Sequence, residues 1–287
     1  MKIVFFVLVT AVVMTSCNWI NPSEETPSYI RVESIPFSTT SIQGTSNQSF
    51  VDAWVYIDGE KIGTFQMPCT FPVLLEGSHK VKVFPGIKLN GIASTRSIYP
   101  FAQPWEATIN LIKDSVTFIH PTSSYYDNLV YASLENFEDA GISLTETSLS
   151  DTVMQRVSVS DNPSNVFEGS YSGMLVVDTD HDTIDVRSNS SYVLPNTGAY
   201  NFLELNFKTD APVVVGVISN TSGYSVYHPV LILNETSTWK KIYVNFTPVI
   251  TREYQAGSFY YYFRMELPDG MTEAHAYIDN IKLIHAE

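Results

Sequence analysis

The feature that most constrains this chain is the period of its apolar residues, which is two wherever a run is long enough to measure. Ser258 to Glu266 (SFYYYFRME) puts Phe259, Tyr261 and Phe263 on one side of an extended strand and Tyr260, Tyr262 and Arg264 on the other. His79 to Phe84 (HKVKVF) alternates strictly, and Ser49 to Ile57 (SFVDAWVYI) alternates up to Asp58-Gly59, a hairpin turn signal. Helical spacing is hard to find. The one tempting stretch, Ser133 to Ala140 (SLENFEDA), is short and is followed by Gly141. Abundant Tyr, Phe, Val and Thr favour strands for the same reason: branched and aromatic side chains pack well on a pleated surface.

The turn signals divide the chain. Residues 1–16 read as a signal peptide, 17–28 as a tether, 29–120 as one β domain, 121–130 as a linker and 131–287 as a second β domain. In the first, Lys61 to Phe65 continues the hairpin, Pro85-Gly86 should end the His79 strand, and Thr108 to Leu111 should pair with Ser115 to Ile119 around Lys113-Asp114. The aromatic, proline-bearing stretch from Asn90 to Trp105 has no period, so it either packs over the sandwich or is free to bind. The second domain holds at least eight strand-like runs between turns such as Ser222-Gly223 and Pro268-Asp269-Gly270. The expected fold is all-β, a small antiparallel β-sandwich followed by a β-jelly-roll sandwich.

At the N-terminus, Lys2 precedes an apolar run from Ile3 to Met14 that is too short to cross a bilayer, and small residues follow at once. Met14-Thr-Ser-Cys17 resembles the lipobox of bacterial lipoproteins. It implies lipidation of Cys17 (a palmitate-bearing, multiply acylated N-terminus) and attachment to the membrane through that lipid. Asn18 after the cysteine favours the outer membrane by the same resemblance, with a location in the cell envelope and on its surface. Asp114-Ser115-Val116, Asp151-Thr152-Val153 and Asp182-Thr183-Ile184 resemble the O-glycosylation sites of Bacteroidota exported proteins. Cys69 has no cysteine partner once Cys17 is acylated and is expected to be a buried structural thiol.

Two further resemblances cover the body. Val55 to Gly86 (VYIDGEKIGTFQMPCTFPVLLEGSHKVKVFPG) resembles PEGA-type surface modules, which implies a spacer or interaction module. SLENFED, FEGSYSGMLVV, WKKIYVNF and AHAYIDNIKLI resemble, in order and spacing, the galactose-binding-like jelly rolls common as carbohydrate-binding modules. That resemblance implies a structural Ca2+ held by Glu135 or Glu138, the neighbourhood of Glu168, and Asp279. It also implies Trp239 in the core.

Lys+Arg 16 against Asp+Glu 30 gives a net charge of −14, which argues against a nucleic-acid partner. The acidic run Asp178, Asp180, Asp182, Asp185 lacks the glycine and glutamate of a calcium loop and reads as a solvated loop. Catalytic signatures are missing: there is no phosphate loop, HExxH or CxxC, and in Gly169 to Gly173 (GSYSG) Tyr171 takes the nucleophile's place. The residues best suited to contact a ligand are aromatic and cationic: Tyr260, Tyr262 and Arg264 on one strand face, and Tyr224 and Tyr227 on a loop. The expectation is a non-enzymatic envelope lipoprotein that binds a polysaccharide or other glycan through the second domain. The alternative is a structural or adhesive protein that binds other envelope proteins.

Overall fold

The computed structural model describes residues 25–221 and 223–287. The stretches read as a signal peptide and, for the most part, as a tether, with Cys17, lie outside these residues. The N-terminal part contains β1 (Ser28–Val32), β2 (Phe37–Ser38), β3 (Asp52–Ile57), β4 (Glu60–Gln66), β5 (Cys69–Val73), β6 (Gly77–Lys88), β7 (Arg96–Ile98), β8 (Trp105–Leu111), β9 (Val116–Ile119) and β10 (Ser123–Ser124). One sheet has the order β5-β1-β9; the other runs β4-β3-β6-β7, with β8 also on β6. Ile30, Val32, Val55, Ile57, Phe71, Val81 and Val83 fill the space between them. The Asp58-Gly59 turn forms as expected, with both residues at positive φ (51° and 88°), as a tight right-twisted hairpin requires.

Two local expectations are corrected here. Pro85-Gly86 does not end its strand: β6 continues to Lys88, and Gly86 leaves room for the Trp54 indole, whose Nε1 would lie 2.7 Å from a Cβ at that position. The Lys113-Asp114 turn does form, but β8 joins β6 whereas β9 runs parallel to β1, so the strands on either side of it enter different sheets. The Ser133 to Ala140 stretch is not helical; it begins inside a strand that pairs with the last strand of the chain.

The second part contains β11 (Leu129–Glu135), β12 (Leu144–Glu146), β13 (Gln155–Ser158), β14 (Tyr171–Asp178), β15 (Thr183–Ser188), β16 (Asn201–Thr209), β17 (Val213–Thr221), β18 (Tyr224–Leu233) and β19 (Thr236–Asn245). A short helix α1 (Thr247–Arg252), β20 (Ser258–Glu266) and β21 (Glu273–Ala286) complete it. One sheet is ordered β13-β14-β21-β16-β19 with β11 on β21; the other is β12-β15-β20-β17-β18. Both are antiparallel throughout. Alternate residues from each sheet meet in one core, including Leu175, Leu203, Leu205, Val215, Phe259, Tyr261, Phe263, Ile278 and Ile281. The all-β, two-sandwich fold expected from the period-two pattern is present.

The two sandwiches are joined by a third apolar cluster. Ile87, Tyr99, Phe101 and Ala102 from the first, with Tyr125 from the connection, pack on Phe202, Tyr243 and Ile284 of the β13-β14-β21-β16-β19 sheet. The Asn90 to Trp105 stretch is thereby accounted for: Tyr99 and Phe101 are each 1% exposed and serve the junction. Leu89 bridges to Tyr243, and the Asn90 N–H donates to the Tyr243 carbonyl at 3.0 Å, so backbone pairing crosses the junction as well. Among the described residues no helix is long and apolar enough to cross a membrane.

Candidate functional site

The geometry of the junction leaves one broad face of the second sandwich open. Its first sheet is covered on the outside by the N-terminal sandwich, whereas among the described residues no second sandwich covers the outer face of β12-β15-β20-β17-β18. On β20 the alternation resolves the open question of the sequence: Phe259, Tyr261 and Phe263 enter the core, which turns Tyr260, Tyr262 and Arg264 outward.

These outward side chains form a connected cluster. Tyr262 pairs in register with Gly216, and a Cβ there would lie 2.5 Å from the Tyr262 ring and 2.4 Å from the His228 carbonyl oxygen. The missing side chain lets the ring lie across β17 against the bulged β18. Tyr227 meets Tyr262 edge-on at 5.0 Å, and the Arg264 guanidinium sits 5.3 Å from the Tyr227 ring centre. Arg187 of β15 stacks over Tyr260 at 3.9 Å. Tyr262 itself is only 3% exposed, and burial pushes its hydroxyl pKa up to about 12, so it supports the surface from beneath. Tyr227, Tyr260 and Arg264 are half-buried and reach solvent.

Asp185 anchors the cluster. Fully buried, it accepts from Arg264 Nε at 2.6 Å, from Thr147 Oγ1 at 2.5 Å and from the Tyr227 hydroxyl at 3.4 Å. A buried carboxylate with a cation and two hydroxyls on it holds each of them in one geometry. The acidic run is therefore not uniformly a solvated loop. Asp178 turns the hairpin by accepting the backbone N–H groups of Asp180 and His181, both at 2.8 Å, while Asp185 lies inside the next strand. The alternation Ile184-Asp185-Val186-Arg187 is the signal that could have separated it. Tyr224 stands apart, 70% exposed at the start of β18; it pairs with Thr221 and Tyr227 with Ile218, an odd offset that puts the two tyrosines on opposite faces.

The carboxylates that the resemblance assigns to calcium, Glu135, Glu138, Glu168 and Asp279, each accept protein donors. Glu135 accepts the N–H groups of Phe137 at 2.6 Å and Ser143 at 2.5 Å, and Glu138 those of Ser170 and Tyr171 at 2.8 and 3.0 Å. Glu168 Oε2 accepts from Asn280 Nδ2 at 3.0 Å. Asp279 accepts from Ser172 Oγ at 2.6 Å and Asn280 N at 2.7 Å, and burial still pushes its pKa up to about 6. No group of three or more His, Cys, Asp or Glu among the described residues is placed to hold a metal. What the set does is brace the entry turn against the last strand.

One constellation looks catalytic. Ser219 Oγ lies 2.9 Å from His228 Nε2, and Glu253 Oε1 is 3.9 Å from His228 Nδ1. However, Arg252 Nη2 donates to His228 Nδ1 at 3.0 Å, which makes that nitrogen an acceptor and leaves the ring proton on Nε2. His228 then donates to Ser219 rather than taking its proton, and Ser219 is 1% exposed. The group ties β17 and β18 to the end of α1.

No protein-family model and no curated protein matches this chain. Among solved structures it is similar to a xylan-binding domain of carbohydrate-binding module family 22, with 14% identity and a TM-score of 0.37 over 54% of this chain and 94% of that one. It is similar also to the family 11 carbohydrate-binding module of cellulosomal cellulase Lic26A-Cel5E of Clostridium thermocellum, with 14% identity and a TM-score of 0.35 over 55% and 97%. A third is TmCBM61 in complex with beta-1,4-galactotriose, at 14% identity and a TM-score of 0.33 over 50% and 88%.

A second concavity lies at the junction of the sandwiches, with a volume of about 540 Å³. Trp239 lines it instead of entering the core: the indole is half-buried, its ring centre is 5.4 Å from that of Phe167, and Nε1 donates to the Ser164 carbonyl at 3.2 Å. Cys69 is half-buried on β5, and burial pushes its thiol pKa up.

Proposed function

We propose that the protein is a lipid-anchored protein of the cell envelope whose second sandwich, residues 131–287, binds glycans without catalysis. The observation that carries the binding reading is the open face around Tyr227, Tyr260 and Arg264, held rigid by Asp185 and Gly216. Sugar rings present C–H faces that pack on tyrosine rings, while Arg264 and Arg187 offer N–H donors to hydroxyl oxygens. Little ordering is required on binding, because the cluster is already fixed by its own contacts. The anchor rests on the Met14 to Cys17 motif, with residues 29–120 raising the binding sandwich from the membrane.

Titration of the protein with neutral xylan, mixed-linkage glucan and galactan oligosaccharides tests the binding. Tyr227→Ala and Tyr260→Ala should each weaken the interaction by about tenfold, as expected for loss of one stacking partner, with the melting temperature little changed. Failure of every oligosaccharide to bind, or binding indifferent to both substitutions, refutes the assignment. For the anchor, labelling with a palmitate analogue should mark the protein and Cys17→Ala should release it to the soluble fraction.

A further inference from the structure

The junction cleft differs in charge from the rest of the molecule. The chain carries Asp+Glu 30 against Lys+Arg 16, yet this concavity is lined by Lys88, Lys240 and Lys241 and by no carboxylate. Lys241 is held from behind: its side chain is 2% exposed and its Nζ lies 2.9 Å from Glu204 Oε2. With Lys241 neutralised by Glu204, Lys88 and Lys240 give the hollow its positive charge, which raises the local attraction for an anion above that of the acidic surface around it.

The cleft also contains an unanswered acceptor. Asn206 is 1% exposed; its Nδ2 donates to Asn47 Oδ1 at 2.8 Å across the junction, while its own Oδ1 has no partner. A buried acceptor left unpaired is costly, and a ligand hydroxyl that donates to it removes that cost. At the rim, Trp239 and Phe167 supply aromatic surface. The walls are preformed. The turn after Lys88 is fixed to β19 by two backbone N–H bonds, Asn90 N to the Tyr243 carbonyl and Asn245 N to Asn90 Oδ1 at 2.8 Å, and Gly91 sits against Ile242.

Cations, a buried acceptor for a hydroxyl and an aromatic rim together suit one kind of molecule. We propose that the cleft between the two sandwiches binds an acidic saccharide, its carboxylate or sulfate on Lys88 and Lys240, a hydroxyl donating to Asn206 and its ring packed on Trp239. The site is separate from the tyrosine face. Asn206 and Lys241 lie on the sheet that the N-terminal sandwich covers, and Tyr227 and Tyr260 lie on the other.

The test is calorimetric titration of the full chain with three probes of equal length: an oligogalacturonate, a sulfated galactan oligomer and a neutral galactan oligomer. At least one acidic probe should bind, and which one identifies carboxylate or sulfate as the recognised group. The double substitution Lys88→Ala/Lys240→Ala should raise its Kd by about tenfold or more, Trp239→Ala should weaken it similarly, and Tyr227→Ala should leave it unchanged. Both lysines reach solvent, so the double variant should fold, which a thermal melt verifies even where Trp239→Ala does not fold. Absence of binding by both acidic probes overturns the proposal, as does binding that survives the lysine substitutions or that depends on Tyr227. A neutral probe that binds through Tyr227 supports the tyrosine face alone, so each site can fail without the other.

Discussion

Lys282 is 1% exposed, donates to the Thr45 carbonyl at 2.6 Å and stands over the Tyr125 ring at 5.1 Å. Burial pushes its pKa down to about 8, against the attraction of Glu204. The folded protein therefore loses this proton before the unfolded chain, whose lysines titrate near ~10.4. Below pH ~8 the cost of the buried ammonium is present in full, and it fades as the pH rises toward the unfolded value. Stability should climb by about 2 kcal/mol between pH ~8 and ~10, before unfolded tyrosines ionise and reverse the trend. Urea melts across that range measure it, and Lys282→Met should flatten the rise; an equal slope in the variant would assign the effect to another group. In the sequence, Lys282 is one outward position of NIKLI, an alternation that marks it for solvent. It is buried because a different sandwich lies on top of it, which no local pattern announces.

At the scale of the element, the five-stranded sheet β12-β15-β20-β17-β18 shows how one absent side chain shapes a surface. A methyl group at Gly216 would meet the backbone of β18 and the Tyr262 ring at once. Gly216→Ala should destabilise the protein by about 1–3 kcal/mol and alter the near-ultraviolet tyrosine signal. A neutral result in a chemical melt would mean that β18 shifts freely and that the tyrosine face is not preorganised. The alternation of Ser258 to Glu266 was sufficient to sort Tyr260, Tyr262 and Arg264 from the core residues. It could not show that Tyr262 is the supporting member, because Gly216 and Tyr227 come from strands 46 and 35 residues earlier in the chain and pair with it only through sheet register. Asp185 was hidden for a related reason. A carboxylate in an acidic run looks solvated until the strand that brings Arg264 beside it is known.

At the scale of the whole molecule, the junction depends on Glu204. Fully buried, it accepts from the Tyr99 and Tyr125 hydroxyls and pairs with Lys241. Burial opposes its charge, but Lys241, Lys282 and the two hydroxyls outweigh that and hold its pKa below the usual carboxylate range. Glu204→Gln leaves two buried ammonium groups uncompensated and should cost about 3–5 kcal/mol. Differential scanning calorimetry should then show the single transition broaden or split as the sandwiches uncouple; one sharp transition at the original temperature would mean that the apolar contacts of Tyr99, Phe101 and Phe202 suffice. The period-two alternation, the positive-φ turn at Asp58-Gly59 and the spacing of strands determined an all-β chain of two sandwiches without further information, because each is a property of neighbouring residues. The tertiary structure decided which faces are outside. Glu204, Lys241 and Lys282 alternate like surface residues yet are interior, and Trp239, placed in the core by resemblance, shares the outward face of β19 with Lys241 and lines a cleft. Burial depends on what packs against a face, and that partner lies seventy residues or more away in the chain for Glu204, Lys282 and Trp239 alike.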